Sequence, residues 1–271
     1  MIKNNLVIGK TILNYSVRGD TDPVLIMLHG NSMSSESFSA QFDDPLLNSF
    51  GLLAFDFPGH GQSSCASDPA NEYNLFAFRD LVVEVVEKLG LDQFILMGHS
   101  LGGHVAMECL PLLPACKGIF IWGAPPVKLP LNTDELFNPI PESALLFTEK
   151  LTASEIEKLS KLLGCEAHKQ AIAVMIQGTD PAFRQHLPMS FGMGKVSDEY
   201  QLLKQSGIPV AIVQGASDQL ISMAYLESLD LPMLWQNRVL LLEDSCHSPQ
   251  MDHPAIFNNL IVQFANDCFF C

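Results

Sequence analysis

The chain has 271 residues, 48% hydrophobic and 17% charged, a balance that describes a folded globular protein rather than a disordered one. Its 15 Lys and Arg against 30 Asp and Glu leave a net charge of −15 with no basic stripe, so neither nucleic acid nor an anionic lipid surface is an expected partner. Met1-Ile2-Lys3-Asn4-Asn5 lacks the apolar segment of a signal peptide, and no uncharged apolar run approaches the ~18 residues of a membrane span.

Seven cysteines, odd in number and irregularly spaced, fit a reduced, cytoplasmic setting. Cys268-x-x-Cys271 has no second pair to complete a zinc site, and no metal is expected.

In chain order, Leu6-Val7-Ile8 and Ile12 to Val17 are predicted as hairpin strands turning at Gly9-Lys10, and Asp20-Thr21-Asp22-Pro23 as a turn. Val24 to Leu28 reads as a strand covered on both faces, ending at His29-Gly30-Asn31-Ser32. A short helix is expected within 36–48. A buried strand follows at Leu52 to Phe55, ending at Asp56-Phe57-Pro58-Gly59-His60-Gly61.

Leu75 to Leu89 carries apolar residues at helical spacing and stops at Gly90. Strands are predicted at 93–97 and Gly118 to Trp122, with a helix-compatible run from His104 between them. From about Val127 to Ser206 helix signals appear without a clear strand, including capping boxes at Thr152-x-x-Glu155 and Ser154-x-x-Glu157. Strands resume at Ile208 to Val213 and Val239 to Leu242, and a helix runs from Pro254 to Ala265. Strands alternating with helices imply a mostly parallel sheet with helices on both faces. The expected division is a core of 1–126 and 207–271 and a helical cap of 127–206.

Gly98-His99-Ser100-Leu101-Gly102 lies between the strand Phe94 to Met97 and the helix after it, the strand–turn–helix context of a nucleophile elbow. Ser100 is the expected nucleophile, His247 the base and Asp218 the acid that orients it; each follows an apolar strand, so all three reach one sheet edge. Asp244 competes with Asp218 but sits in the histidine's own loop. The backbone N–H groups of Asn31 and Leu101 form the expected oxyanion hole. Asn31 and His99 are the expected substrate contacts, His99 at the pocket floor or beneath the oxyanion loop. His29 and the Asp56–Ser63 loop read as scaffold. Of Phe137, Leu146, Phe147, Met175, Phe183, Met189, Phe191 and Met193, some are expected to line an acyl pocket.

Together with the Ser…Asp…His order, His29 to Ser32, Asp56 to Ser63, Gly98 to His104 and His247 resemble the α/β-hydrolase superfamily. Within it, His29-Gly30-Asn31-Ser32, Ser100 to His104 and Gly123-Ala124-Pro125-Pro126-Val127 are similar to the N-acyl-homoserine lactonases of that fold. The chain departs from that pattern at His99, where those lactonases carry an aromatic, at Asp218, where they carry a glutamate, and at Leu159, where a cap tyrosine contacts substrate. The resemblance implies an α/β-hydrolase fold with a helical cap. It also implies a cofactor-free serine hydrolase of small esters or lactones. A carboxylesterase, thioesterase or C–C bond hydrolase would use the same triad, and a non-catalytic receptor on this fold is the reading from another class.

Overall fold

The computed structural model describes residues 2–19 and 22–270. Asp20 and Thr21 of the predicted turn, and Cys271 of the terminal cysteine pair, lie outside the described residues.

Eight strands form one sheet: β1 (Ile2–Ile8), β2 (Thr11–Arg18), β3 (Val24–Leu28), β4 (Gly51–Phe55), β5 (Phe94–His99), β6 (Cys116–Trp122), β7 (Val210–Gly215) and β8 (Leu240–Leu242). Their order is β1-β2-β4-β3-β5-β6-β7-β8. β1 and β2 pair antiparallel, as does β2 with β4, and every later pairing is parallel.

The central strands read as unbroken apolar runs because both faces are covered. Side chains alternate across a strand. Accordingly Ile26, Leu53, Leu96, Ile119 and Ile212 pack into one core. Their chain neighbours Leu25, Leu52, Ile95, Phe120 and Ala211 pack into the other. The first core takes α1 (Leu75–Leu89) and α2 (Leu101–Cys109); the second takes the last helix.

Between β6 and β7 lie only helices among the described residues' regular elements: a seven-residue 3-10 segment (Pro141–Phe147), α3 (Ala153–Leu163), α4 (Lys169–Gly178), α5 (Pro181–Gly192), α6 (Glu199–Gln205) and shorter turns. Thr152 forms the full capping box with Glu155, whereas Ser154 falls inside α3. Arg184, 3% exposed, fastens α5 to the backbone carbonyls of Thr148 and Glu149. The predicted helix in 36–48 is three short helical turns, and the terminal helix α7 (Pro254–Phe270) runs longer than expected.

Candidate active site

The C-terminal ends of β3, β5, β7 and β8 place His29–Ser32, Ser100, Asp218 and His247 along one sheet edge, where parallel α/β sheets open to ligands. Ser100 turns sharply from β5 into α2, with φ 50° and ψ −115°. That left-handed turn is sparsely populated for a residue with a Cβ. It is held by the Ser100 N–H donating to the Trp122 carbonyl at 2.8 Å. The turn needs bare backbone beside it: a Cβ on Gly102 would lie 2.1 Å from the Leu28 carbonyl oxygen.

His247 and Asp218 meet: Nδ1 and Oδ2 are 2.8 Å apart, and each side chain is 1% exposed. Asp218 is held from two further sides, by the Leu220 N–H at 2.8 Å and by Gln214 Nε2 at 2.6 Å. Burial pushes the Asp218 carboxyl up, but the His247 charge and these hydrogen bonds outweigh it and hold the group below the usual carboxylate range. Of the two candidate acids, it is Asp218 rather than Asp244 that bonds His247 Nδ1. His247 Nε2 is buried with no hydrogen-bond partner among the described residues.

Ser100, His247, Asn31 and Leu101 share a cavity of about 1030 Å³. Leu101 opens α2, where helix geometry leaves its N–H without an intrahelical acceptor. Asn31 reaches the cavity, but its side chain is spent on the fold: Nδ2 donates to the Leu146 carbonyl at 3.2 Å and Oδ1 accepts from Ser32 Oγ at 2.8 Å. Most of the wall comes from residues between β6 and β7. Of the residues proposed from sequence for an acyl pocket, Phe137, Leu146, Phe147 and Phe191 line it. Phe183 packs instead on Tyr73 and Phe78, and Met189 and Met193 are exposed. Leu159 is fully buried and outside the lining.

His99 corrects its expected role as a substrate contact. It is fully buried and absent from the cavity wall. Its ring stacks on Trp122 at 5.7 Å, and Nε2 donates to the His247 backbone carbonyl at 2.8 Å. Burial, then the neighbouring His247, hold it far below the ordinary histidine range, so it is neutral. His29 is scaffold as expected: the Phe57 N–H donates to its Nε2 at 2.9 Å, joining the loops after β3 and β4.

The expectation of fully reduced cysteines is also corrected. Cys165 and Cys246 are bonded, with Cα atoms 5.4 Å apart across 81 positions of sequence. The bond ties the segment after α3 to the residue before His247. On the other side of His247, Ser248 Oγ donates to the Leu163 carbonyl. Among the described residues, Cys165, Cys246 and Asp252 form the one grouping close enough to share an ion, and its two sulfurs are already bonded to each other.

Residues 23–168 match the family described as the alpha/beta hydrolase fold. The chain belongs to that family. This α/β hydrolase is 26% identical to the bifunctional esterase/perhydrolase DCH of Acinetobacter calcoaceticus, across 73% of this chain and 75% of that protein. It is 24% identical to the 2-hydroxy-6-oxononadienedioate/2-hydroxy-6-oxononatrienedioate hydrolase of Klebsiella pneumoniae, across 94% and 92%. The crystal structure of the N-acyl homoserine lactonase AidH complexed with N-butanoyl homoserine aligns with a TM-score of 0.95 at 25% identity, covering 100% of this chain and 98% of that one.

Sequence reasoning missed three parts of the hydrolase site. Gln214, the second anchor of Asp218, lies in β7 and carries no signal beyond its polarity in an apolar strand. Glu199, fully buried against His104, reads from sequence as a surface acid opening a helix. The Cys165–Cys246 bond has no spacing signature, since its halves lie in different parts of the fold.

Proposed function

We propose that this chain is a serine hydrolase of carboxylic esters and lactones with an apolar acyl part, acting through an acyl-serine at Ser100. The observation that carries the reading is His247, held by the buried Asp218 at 2.8 Å and lining one largely apolar cavity with the strained Ser100. Ser100 Oγ attacks the carbonyl carbon while His247 Nε2 takes its proton. The tetrahedral oxyanion rests on the N–H groups of Asn31 and Leu101, with the positive end of α2 behind the second. His247 then returns the proton to the leaving oxygen, the acyl group stays on Ser100, and a water activated by the same histidine releases the acid. Asp218 fixes the imidazole tautomer and offsets the imidazolium charge. Residues 127–206 act as the cap over this site. Every step uses groups of this chain and water.

The lactone half of the reading is supported by the likeness to AidH along the whole chain. A C–C bond hydrolase is the second reading, favoured by the likeness to the Klebsiella pneumoniae enzyme. Ser100→Ala, assayed on p-nitrophenyl esters, acyl-homoserine lactones and a vinylogous diketone acid, is the deciding experiment. Ester and lactone turnover is expected to fall by at least about 10³-fold, with fluorophosphonate labelling abolished. Turnover unchanged in the variant removes Ser100 from the chemistry. Cleavage of the diketone alone moves the assignment to C–C bonds.

A further inference from the structure

His104 takes no part in the steps above, yet it lines the same cavity. It lies four residues after Ser100, in the first turn of α2, with its N–H donating to the Ser100 carbonyl at 3.2 Å, so the two residues meet the cavity about one helical turn apart. Its Nδ1 is committed to Glu199 Oε2 at 2.8 Å, and that same oxygen accepts the Val127 N–H at 2.9 Å. Glu199 is wholly enclosed, and its Oε1 has no partner among the described residues. The His104 side chain keeps 14% of its surface open whereas Glu199 keeps none. With Nδ1 turned to the acid behind it, Nε2 is the ring nitrogen left for the cavity. The wall around it is apolar, with Leu75, Leu136, Leu187 and Val196 among its members.

We infer that His104 is a substrate-binding residue whose Nε2–H takes a carbonyl oxygen on the acyl chain, roughly three to five bonds beyond the scissile carbon. The inference rests on Ser100 being the nucleophile, since the distance is counted from there. A donor set among apolar side chains is a selector: an acyl chain with a matching acceptor satisfies it, and a plain alkyl chain desolvates it and returns nothing. With Nδ1 bonded to Glu199, Nε2 is a donor on the imidazolium; burial opposes that form, but the Glu199 charge and hydrogen bond, with Glu108 beyond, outweigh it and raise His104 above the usual histidine value.

The test is kinetics, corrected for spontaneous hydrolysis, on p-nitrophenyl esters of hexanoate, 3-oxohexanoate and 5-oxohexanoate. The intact chain is expected to favour at least one oxo ester over hexanoate by roughly tenfold in kcat/KM, the yield of one charge-assisted hydrogen bond. That ratio should fall to about one in His104→Phe and decline in Glu199→Gln. No preference in the intact chain overturns the inference, as does a preference that survives both substitutions. If His104→Phe does not fold, Glu199→Gln decides, because it keeps the shape and removes the charge. Calorimetric titration with hexanoate and 5-oxohexanoate as free acids separates the two layers of the argument. A chain that cleaves no ester but binds the oxo acid more tightly loses the nucleophile assignment and keeps the subsite. Equal affinities end the subsite.

Discussion

Gly123, directly after β6, turns with φ +59°, and a Cβ built there would lie 2.7 Å from His247 Cε1. If His247 is the base proposed above, Gly123→Ala is expected to lower kcat by about 10²-fold, because a base displaced by the order of 1 Å loses that much. The folded state should lose only ~1–2 kcal/mol, the cost of a left-handed residue with a Cβ. Rates and thermal melts measured side by side check this; an unchanged kcat would show that the ring has room to yield. At this scale the sequence was legible where a strand end marks the residue: Ser100, Asp218 and His247 each follow an apolar strand, and the structure brings all three to one sheet edge. His99 was misplaced because a polar ring beside Ser100 looks the same in sequence whether it faces the cavity or, as here, props the His247 carbonyl from below. Only the neighbours Trp122 and Gly30 distinguish the two.

Elements show the same division. Strands and the long helices α1 and α7 were legible because their apolar periodicity is set by two opposing cores. The short turns of 36–48 blurred into one helix because each is too brief for periodicity to register. How α2 meets α6 was not legible at all, since it depends on His104 and Glu199, 95 positions apart. That contact has a pH signature. His104 is raised by Glu199 and Glu108 against burial, so its contribution is fully present below the unfolded value of 6.5 and is lost as pH rises through the folded value. His29, His60 and His99 are lowered by burial, so they act with the opposite sign and remove stability as pH falls below 6.5. Thermal stability should therefore peak near that value. In His104→Gln the decline on the alkaline side should flatten while the acid side persists. A melting series from pH 5 to 9 reads both limbs, and an alkaline slope identical in the variant would remove the pair from the balance.

Over the whole molecule, the Cys165–Cys246 bond closes a loop of 81 positions that joins the segment after α3 to the histidine loop. Constraining the unfolded chain over that span is worth on the order of 4 kcal/mol. Reduction with dithiothreitol should therefore lower Tm by roughly 8–16 °C for a domain of this size. His247 is also held by His99 and by its neighbour Ser248, so kcat should change far less than stability. Cys165→Ser ought to show the lower Tm with no response to reductant; a variant that melts like the oxidised protein would deny the bond its role. Architecture on this scale was readable from the rhythm of strands and helices, whereas a long-range covalent link was not, because nothing local marks its ends. One further property follows from the packing under the site. Trp122 is 1% exposed, stacked on His99, and bonded through its indole N–H to Gln250 at 2.8 Å. The chain's other tryptophan, Trp235, bonds Asp267 away from the cavity. In optical terms the molecule carries its own probe. With Trp235→Phe, all remaining indole emission comes from one ring that touches the histidine supporting His247, so the acylation proposed for Ser100 becomes open to timing by fluorescence with no label attached.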